Sequence, residues 1–365
     1  MPPSRISKFS FAAGILTTIA ISLAPLWFVE RRLGLAHIWD DISPFKSRSV
    51  DLPPPELRAE LAALGAVPDN IPPFADADPH QTFLVRPDPD LEYVLKPNVQ
   101  GVAYVLRSRL DMNFDPPVLY VPADATMSPE LTAFLKTATR VRYTFSTTAD
   151  GLRATVPITH SPRRVLIVGD SVAFGLGVDD DATMASQLQR AAAGRFEVVN
   201  AAVAGYGREQ VLLVAQRQLA ARPAEALIYV ANTTDFEGDS APELLRSAGE
   251  MIERLAALKG GAARRIVVML TGYLEYAVRD VVNARIHGWH GQWVHTDDLR
   301  RELPRLTRQF GLEFIDANGL VDATVQAEGT IFSPFAMFVD HAHLSRNGHR
   351  LAAAAVLETL ENGGR

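Results

Sequence analysis

The sequence contains no cysteine among its 365 residues. Disulfides, thiolate zinc sites and a cysteine nucleophile are therefore excluded. Clustered positive charge is lacking as well, since the net charge is −6 and lysine and arginine form no extended run. Because nucleic-acid backbones are bound by clustered Lys and Arg, nucleic acid is not expected to be a partner. The remaining composition, 47% hydrophobic and 21% charged, is typical of a globular protein with a sizeable core.

Residues 9–29 form one apolar run without a charge, FSFAAGILTTIAISLAPLWFV. About 20 such residues cross a bilayer as a helix. We therefore expect an uncleaved transmembrane helix after a short N-terminal tail, residues 1–8. A cleaved signal peptide and a buried helix are the alternatives. The signal peptide is less favoured because Pro25 would directly follow a cut at Ala24, and the apolar run continues to Val29.

Two segments are predicted between the apolar run and the main domain. Residues 30–80 are rich in proline, as in Pro53-Pro54-Pro55, and proline clusters stiffen linkers, so we expect a spacer with a short helix near 56–64. Residues 81–160 contain strand-like pieces separated by turn residues, which predicts a small β-rich extension. The predicted strands are 82–85, 93–96, 102–106, 118–121 and 140–146.

Strands and helices alternate in residues 161–365. Short apolar runs such as Val165-Leu-Ile-Val168 are typical of buried parallel strands. Alternating strand and helix predicts an α/β fold, with a parallel sheet covered by helices on both faces. The predicted strands are 165–168, 196–199, 226–230, 266–270 and 312–315, and the predicted helices are 182–193, 209–221, 243–258, 296–310 and 345–361.

The first candidate site motif is Gly169-Asp170-Ser171, directly after a predicted strand. The carboxyl end of a strand in an open α/β sheet borders the crevice where ligands bind. Gly169 allows a sharp turn, and the following helix is expected to direct amides and its positive dipole end at a developing oxyanion. Alone, the tripeptide is more typical of a turn with a helix-capping serine.

The second motif is Asp340-His341-Ala342-His343, near the C-terminus. Asp340 and His343 are three residues apart, so the carboxylate can orient the imidazole while the other ring nitrogen faces a serine. A surface turn with solvated histidines is the simpler alternative. A metal site is also possible from these side chains and His349, but the spacing matches no common metal motif.

Two further segments follow predicted strands. The first contains Gly205, whose backbone N–H can face the crevice. The second is Asn232-Thr233-Thr234-Asp235, where an amide or hydroxyl side chain can donate to an oxyanion. Each signal is weak by itself. Their shared position after strands, with the Asp340/His343 pair last in the chain, favours one site.

In order and spacing, these motifs over residues 160–365 resemble the SGNH hydrolases, also called the GDSL esterase/lipase superfamily, in its membrane-anchored bacterial form. The resemblance implies a flavodoxin-like three-layer sandwich with a five-stranded parallel sheet. It also implies Ser171 as nucleophile, His343 as base and Asp340 as its orienting group. The backbone N–H groups of Ser171 and Gly205 would be oxyanion donors.

The third family block departs from its usual Gly-x-Asn-Asp. An ungapped match places Asn232 at the glycine, Thr234 at the asparagine and Asp235 at the aspartate. A two-residue shift makes Asn232 the donor instead. We prefer Asn232, because only an amide supplies the family's N–H donor.

The predicted function is a serine esterase that hydrolyses O-acetyl groups on a carbohydrate or envelope glycan. An acylated carbohydrate is the expected partner, and neither metal nor cofactor is required. The alternatives are an O-acyltransferase acting on an envelope polysaccharide and a non-catalytic carbohydrate-binding protein. Aromatic residues in 273–293 could line a sugar cleft or pack against helices.

The expected location is a single-pass anchor with the catalytic domain outside the cytoplasm. Both flanks of residues 9–29 are basic, so charge bias does not set the orientation. A reporter fused to the C-terminus is expected to be active outside the cytoplasm. Activity confined to the cytoplasm would contradict this orientation.

Overall fold

An antiparallel sheet forms the core of the N-terminal part, which comprises the described residues between 53 and 146. The computed structural model describes residues 53–69, 82–106, 118–236, 240–272, 296–328, 336–340 and 342–362. In chain order the elements are α1 (Pro55–Ala63), β1 (Val67–Asp69), β2 (Val85–Asp88), β3 (Glu92–Leu95), β4 (Gln100–Leu106), β5 (Val118–Pro122), α2 (Pro129–Ala138) and β6 (Thr139–Ser146). The sheet order is β1-β5-β4-β6, and β2 and β3 form a separate hairpin.

This part differs from the prediction in three places. The first hairpin strand is Val85–Asp88 rather than 82–85. Part of the predicted spacer is built into the fold, because β1 pairs with β5 and α1 buries Leu57 and Leu61. Helix α2 was not predicted; Ser128 caps it by accepting a hydrogen bond from the N–H of Leu131. The domain boundaries as a whole stay a prediction.

The predicted parallel sheet of five strands is confirmed. Its strands are β7 (Arg164–Gly169), β8 (Glu197–Asn200), β9 (Ala224–Ala231), β10 (Ala263–Leu270) and β11 (Glu313–Asp316). Their order is β11-β10-β9-β7-β8, with every neighbouring pair parallel. This is the order of flavodoxin-like sheets, whose ligands bind at the carboxyl end where the winding direction reverses. The reversal lies between β7 and β9.

Helices connect and cover these strands. The helices are α3 (Ser171–Phe174), α4 (Met184–Ala191), α5 (Arg208–Ala221), α6 (Ala241–Ala256), α7 (Thr296–Gln309), α8 (Ala317–Glu328) and α9 (Arg346–Asn362). α9 packs against α4, while α7 packs against α6. α8 was not predicted, because its Asn-Gly start is typical of a turn.

The two sheets share one hydrophobic core. After charged residues at or near their starts, the strands β7, β9 and β10 are apolar, and every residue of β7 is buried. One face of the antiparallel sheet adds Tyr143 and Phe145 to that core, while its other face packs against α1 and α2. The N-terminal part is therefore packed directly against the α/β domain.

Arg153 lies in the junction between the two parts. Its guanidinium lies 4.8 Å from the ring centroid of Phe174 and 5.6 Å from that of Phe145. It also forms an ion pair with Asp180 at 2.9 Å. Asp180 in turn accepts a hydrogen bond of 2.6 Å from the hydroxyl of Ser146 in β6. A paired, stacked cation therefore ties β6 to the loop before α4.

The predicted membrane segment, residues 9–29, lies outside the described residues. Among the helices of the described part, none has the length and apolar character needed to span a bilayer.

Candidate active site

The nucleophile motif lies at the carboxyl end of β7. Gly169 has φ +154°, and a Cβ there would lie 2.8 Å from the Val230 carbonyl oxygen of neighbouring β9. Only glycine allows this close turn, which brings Asp170 and Ser171 to the reversal point of the sheet. Asp170 caps the next turn by accepting the Val172 N–H at 2.9 Å. Ser171 is half-buried at the start of α3.

The helix that begins at Ser171 is a single turn. α3 ends after one turn at Gly175, which has φ +87°, and the next long helix begins only at Met184. A single turn aligns few peptide dipoles, so the expected helix-dipole contribution is small. What remains is the Ser171 backbone N–H at the first position of that turn.

The Asp340/His343 pair meets Ser171 at this edge. His343 Nε2 lies 2.8 Å from Ser171 Oγ. His343 Nδ1 lies 2.9 and 2.8 Å from the two carboxylate oxygens of Asp340. Both side chains are fully buried. The three side chains therefore form one continuous hydrogen-bonded chain from hydroxyl to carboxylate.

Backbone groups hold the aspartate in this orientation. Asp340 Oδ1 accepts the N–H groups of Ala342 and His343 at 2.9 and 2.7 Å. The loop is closed by a hydrogen bond of 2.8 Å from the Val339 N–H to the His343 carbonyl. Donors on one carboxylate oxygen stabilise its ionised form and fix its direction. The three-residue spacing thus closes a compact loop directly before α9.

Arg140 places a positive charge beside this aspartate, which the sequence did not indicate. It lies in β6, is buried, and donates from Nη2 to the Val339 carbonyl. Burial lowers its pKa to about 10, and the negative charge of Asp340 opposes that shift. At neutral pH it is therefore a cation, and the antiparallel sheet contributes to the charge environment of the triad.

The loop after β8 contains Gly205. It is tied to the nucleophile turn because the Val203 N–H donates to the Gly169 carbonyl at 3.3 Å. The Tyr206 N–H donates to the Val203 carbonyl at 3.3 Å, so residues 203–206 form a β-turn. Gly205 is exposed with φ +83°. The loop thus places Gly205 near the nucleophile turn, and its role as a backbone donor stays a prediction.

Asn232 lies next to the nucleophile motif. Its side-chain Nδ2 donates to Asp170 Oδ2 at 2.5 Å, and its backbone N–H donates to Asp235 Oδ2 at 3.0 Å. Asp235 also accepts from the Tyr229 hydroxyl at 3.0 Å. Burial, with the charge of Asp170 as a second cause, raises the pKa of Asp235 well above its usual range. Asn232 is thus held by Asp235 through its backbone and by Asp170, the residue before Ser171, through its side-chain amide.

The structure describes one of the two assignments left open for the third block. Asn232 is buried and bonded to Asp170, the residue before Ser171. The side chain of Thr234 lies outside the described part of the chain, as do His341 and the aromatic segment 273–293. The choice between Asn232 and Thr234 stays a prediction.

His349 is a second buried histidine near the triad, at the start of α9. It is 1% exposed, and neither ring nitrogen has a hydrogen-bond partner among the described residues. Burial lowers its pKa to about 3, and the positive charges of His343 and Arg153 add to that shift. At neutral pH it is an uncharged packing residue.

Comparisons with known proteins give matches only among solved structures. A scan of family models and a search of curated proteins both return no match. One matching structure is a member of the lipolytic protein G-D-S-L family from Veillonella parvula, 14% identical, covering 54% of this chain and 97% of that chain with a TM-score of 0.42. A second is a catalytic mutant of an acetylxylan esterase from Geobacillus stearothermophilus, 14% identical, covering 56% and 96% with a TM-score of 0.41.

A third is a carbohydrate acetylesterase family member from Sinorhizobium meliloti, 16% identical, covering 55% of this chain and 97% of that chain with a TM-score of 0.39.

His349 predicts a specific pH dependence of stability. Its pKa is about 3 in the folded protein against 6.5 for a solvated histidine, so the unfolded chain binds one more proton between these values. The folded state therefore loses roughly 1.4 kcal/mol per pH unit below 6.5 through this residue. Replacing it in His349→Leu is expected to remove that loss, measured by urea unfolding at pH 7.5 and 5.0.

The exposed His160 provides the control, because His160→Leu alters a solvated side chain. Relative to wild type, the free energy of unfolding of His349→Leu should be about 1 to 2 kcal/mol more favourable at pH 5.0 than at pH 7.5. An identical difference at both pH values would show that His349 is not kept neutral by the fold.

Proposed function

We propose that the protein is a serine esterase of the SGNH type. The observation that carries this proposal is the unbroken hydrogen-bonded chain from Ser171 Oγ through His343 to Asp340. A hydroxyl is a poor nucleophile unless a neighbouring base removes its proton. Here the base lies at hydrogen-bond distance, and a buried carboxylate orients it. Such an arrangement fits acyl transfer through a covalent intermediate.

The proposed first step is attack of Ser171 on an ester carbonyl. His343 Nε2 takes the hydroxyl proton as the Oγ–carbon bond forms, and Asp340 stabilises the resulting imidazolium. The protonated His343 then returns the proton to the leaving alcohol as the ester C–O bond breaks. Water, deprotonated by the same imidazole, hydrolyses the acyl-enzyme and regenerates the serine.

The tetrahedral intermediates carry a negative oxygen that needs donors. We propose that these donors are the backbone N–H groups of Ser171 and Gly205 and the side-chain amide of Asn232. Among the described residues, neither of those two N–H groups donates a hydrogen bond within the protein. The side-chain amide of Asn232 donates to Asp170, which holds it next to the nucleophile motif.

The proposed substrates are O-acetyl esters of a carbohydrate or envelope glycan. This class is implied by the motif resemblance over residues 160–365. The apolar segment 9–29 is proposed to hold the enzyme at a membrane, with its catalytic domain outside the cytoplasm. An anchored esterase there would meet acylated envelope polymers.

Removal of the nucleophile tests the proposal. The full-length protein is expected to hydrolyse p-nitrophenyl acetate, and Ser171→Ala is expected to lower kcat by at least about 10⁴-fold. Asp340→Asn should cost about 10⁴-fold, because it favours the wrong imidazole tautomer. Release of p-nitrophenol followed at 405 nm measures both.

Ser161→Ala is the matched control, since Ser161 precedes β7 at the opposite end of that strand. It should keep wild-type activity. Equal rates for wild type and Ser171→Ala would refute the serine mechanism. Slow hydrolysis combined with acetyl transfer to an added oligosaccharide would keep the triad but replace hydrolysis by transfer.

A pair of variants separates the two candidates for the third oxyanion donor. Asn232→Ala is expected to lower kcat by about 10²- to 10³-fold with KM little changed, because the lost donor acts on the transition state. Thr234→Val should leave kcat close to wild type. Steady-state kinetics with p-nitrophenyl acetate gives both values. The reverse outcome would place the donor at Thr234.

A further inference from the structure

The β2–β3 hairpin of the N-terminal part contacts the loop that holds Gly205. The Tyr93 hydroxyl, from β3, donates to the Ala204 carbonyl at 2.9 Å across 111 residues of sequence. A Cβ added at Gly205 would lie 2.7 Å from that hydroxyl oxygen. The hairpin therefore packs directly on the peptide that joins Ala204 to Gly205.

That peptide is the central unit of the 203–206 turn. A positive φ at the third residue, here +83° at Gly205, is the signature of a type II turn. Type I and type II turns differ mainly by a flip of the central peptide, and glycine tolerates both forms. Nothing in the turn residues themselves would hold the Ala204–Gly205 peptide in one direction.

The Tyr93 hydrogen bond supplies that direction. A trans peptide is planar, so its C=O and N–H point to opposite sides. When the Ala204 carbonyl faces the Tyr93 hydroxyl, the Gly205 N–H must face away from the hairpin. The loop is also tied to the nucleophile turn by the Val203 N–H bond to the Gly169 carbonyl, 3.3 Å long.

The hairpin is itself held firmly. The Tyr206 hydroxyl donates to the Tyr93 carbonyl, and the two rings lie 5.3 Å apart. Gln210 Nε2 donates to the Leu91 carbonyl at 3.0 Å. Arg217 bonds both carboxylate oxygens of Asp88 at 2.8 and 3.0 Å. The Tyr93 hydroxyl is thus a fixed group rather than a mobile surface donor.

We propose that Tyr93 is a positioning residue of the oxyanion hole. Its hydroxyl holds the Ala204–Gly205 peptide in the orientation that presents the Gly205 N–H to the substrate carbonyl oxygen. This inference rests on the proposed esterase function. It assigns the N-terminal part a role in the chemistry of a site formed by the α/β domain.

Tyr93→Phe tests the proposal, because it removes the hydroxyl and keeps the ring packed on Tyr206. The expected result is a loss in kcat of about 10- to 100-fold on p-nitrophenyl acetate, with KM little changed, since a misdirected donor weakens transition-state binding. Affinity for trifluoroacetophenone, whose Ser171 adduct carries an oxyanion, should fall in parallel. Thermal unfolding of each variant monitors its folding.

Tyr206→Phe is the matched control. It removes the other hydroxyl that joins hairpin and loop, which donates to the Tyr93 carbonyl rather than to the Ala204 carbonyl. Because the Gln210 and Arg217 bonds still hold the hairpin, its kcat should stay close to wild type even if its stability falls as far as that of Tyr93→Phe. A shared loss of stability would then not explain a loss of kcat confined to Tyr93→Phe.

Two results would overturn the inference alone. One is an unchanged kcat in Tyr93→Phe, and the other is an equal loss of kcat in both tyrosine variants; in each case Ser171→Ala remains inactive and the esterase proposal stands. If the wild-type protein hydrolyses no ester faster than Ser171→Ala, the esterase proposal fails, and the role of Tyr93 fails with it.

Discussion

The hydrogen bond between Ser171 Oγ and His343 Nε2 joins two chain segments that are 172 residues apart. Ser171 is fixed at the end of β7, and His343 lies in the closed loop before α9. This contact forms only if β7 is central in the sheet and the last helix packs back against α4. The proposed chemistry therefore depends on the whole α/β domain being folded, because neither segment holds the other locally.

Around that contact, polar groups are held by partners that limit their movement. Asp340 is fixed by backbone N–H groups, and Asn232 is fixed between Asp170 and Asp235. The N-terminal part adds a buried cation, Arg140, beside Asp340 and a hydroxyl, Tyr93, beside the Gly205 peptide. Catalysis by oriented dipoles requires this kind of rigidity, since donors that reorient during the reaction stabilise charge less. The two sheets thus behave as one scaffold for the site.

Much of this arrangement could be predicted from the sequence. The strands β7, β9 and β10 each contain a run of apolar residues after one or two charged residues near the start, which is typical of buried parallel strands. Ser171 and the Asp340/His343 pair were recognisable because their local spacing carries the geometry. Asn232 is preferred over Thr234 on chemical grounds, and that choice stays a prediction.

Contacts between distant segments could not be predicted. Tyr93 and Arg140 were visible only as strand residues, since their partners lie 111 and 199 residues further along the chain. β1 was hidden in a proline-rich segment, and α8 begins with the turn-like Asn318-Gly319. Composition and periodicity report which face of an element is buried. They do not report which remote carbonyl a tyrosine hydroxyl reaches.

Covalent labelling of the nucleophile tests the central claim most directly. Diisopropyl fluorophosphate phosphorylates an activated serine oxygen as fluoride leaves, and tryptic mass spectrometry locates the adduct. A single adduct on Ser171, formed much more slowly in His343→Ala, is the predicted result. No adduct, an adduct on another residue, or equal labelling rates in both proteins would contradict an activated Ser171.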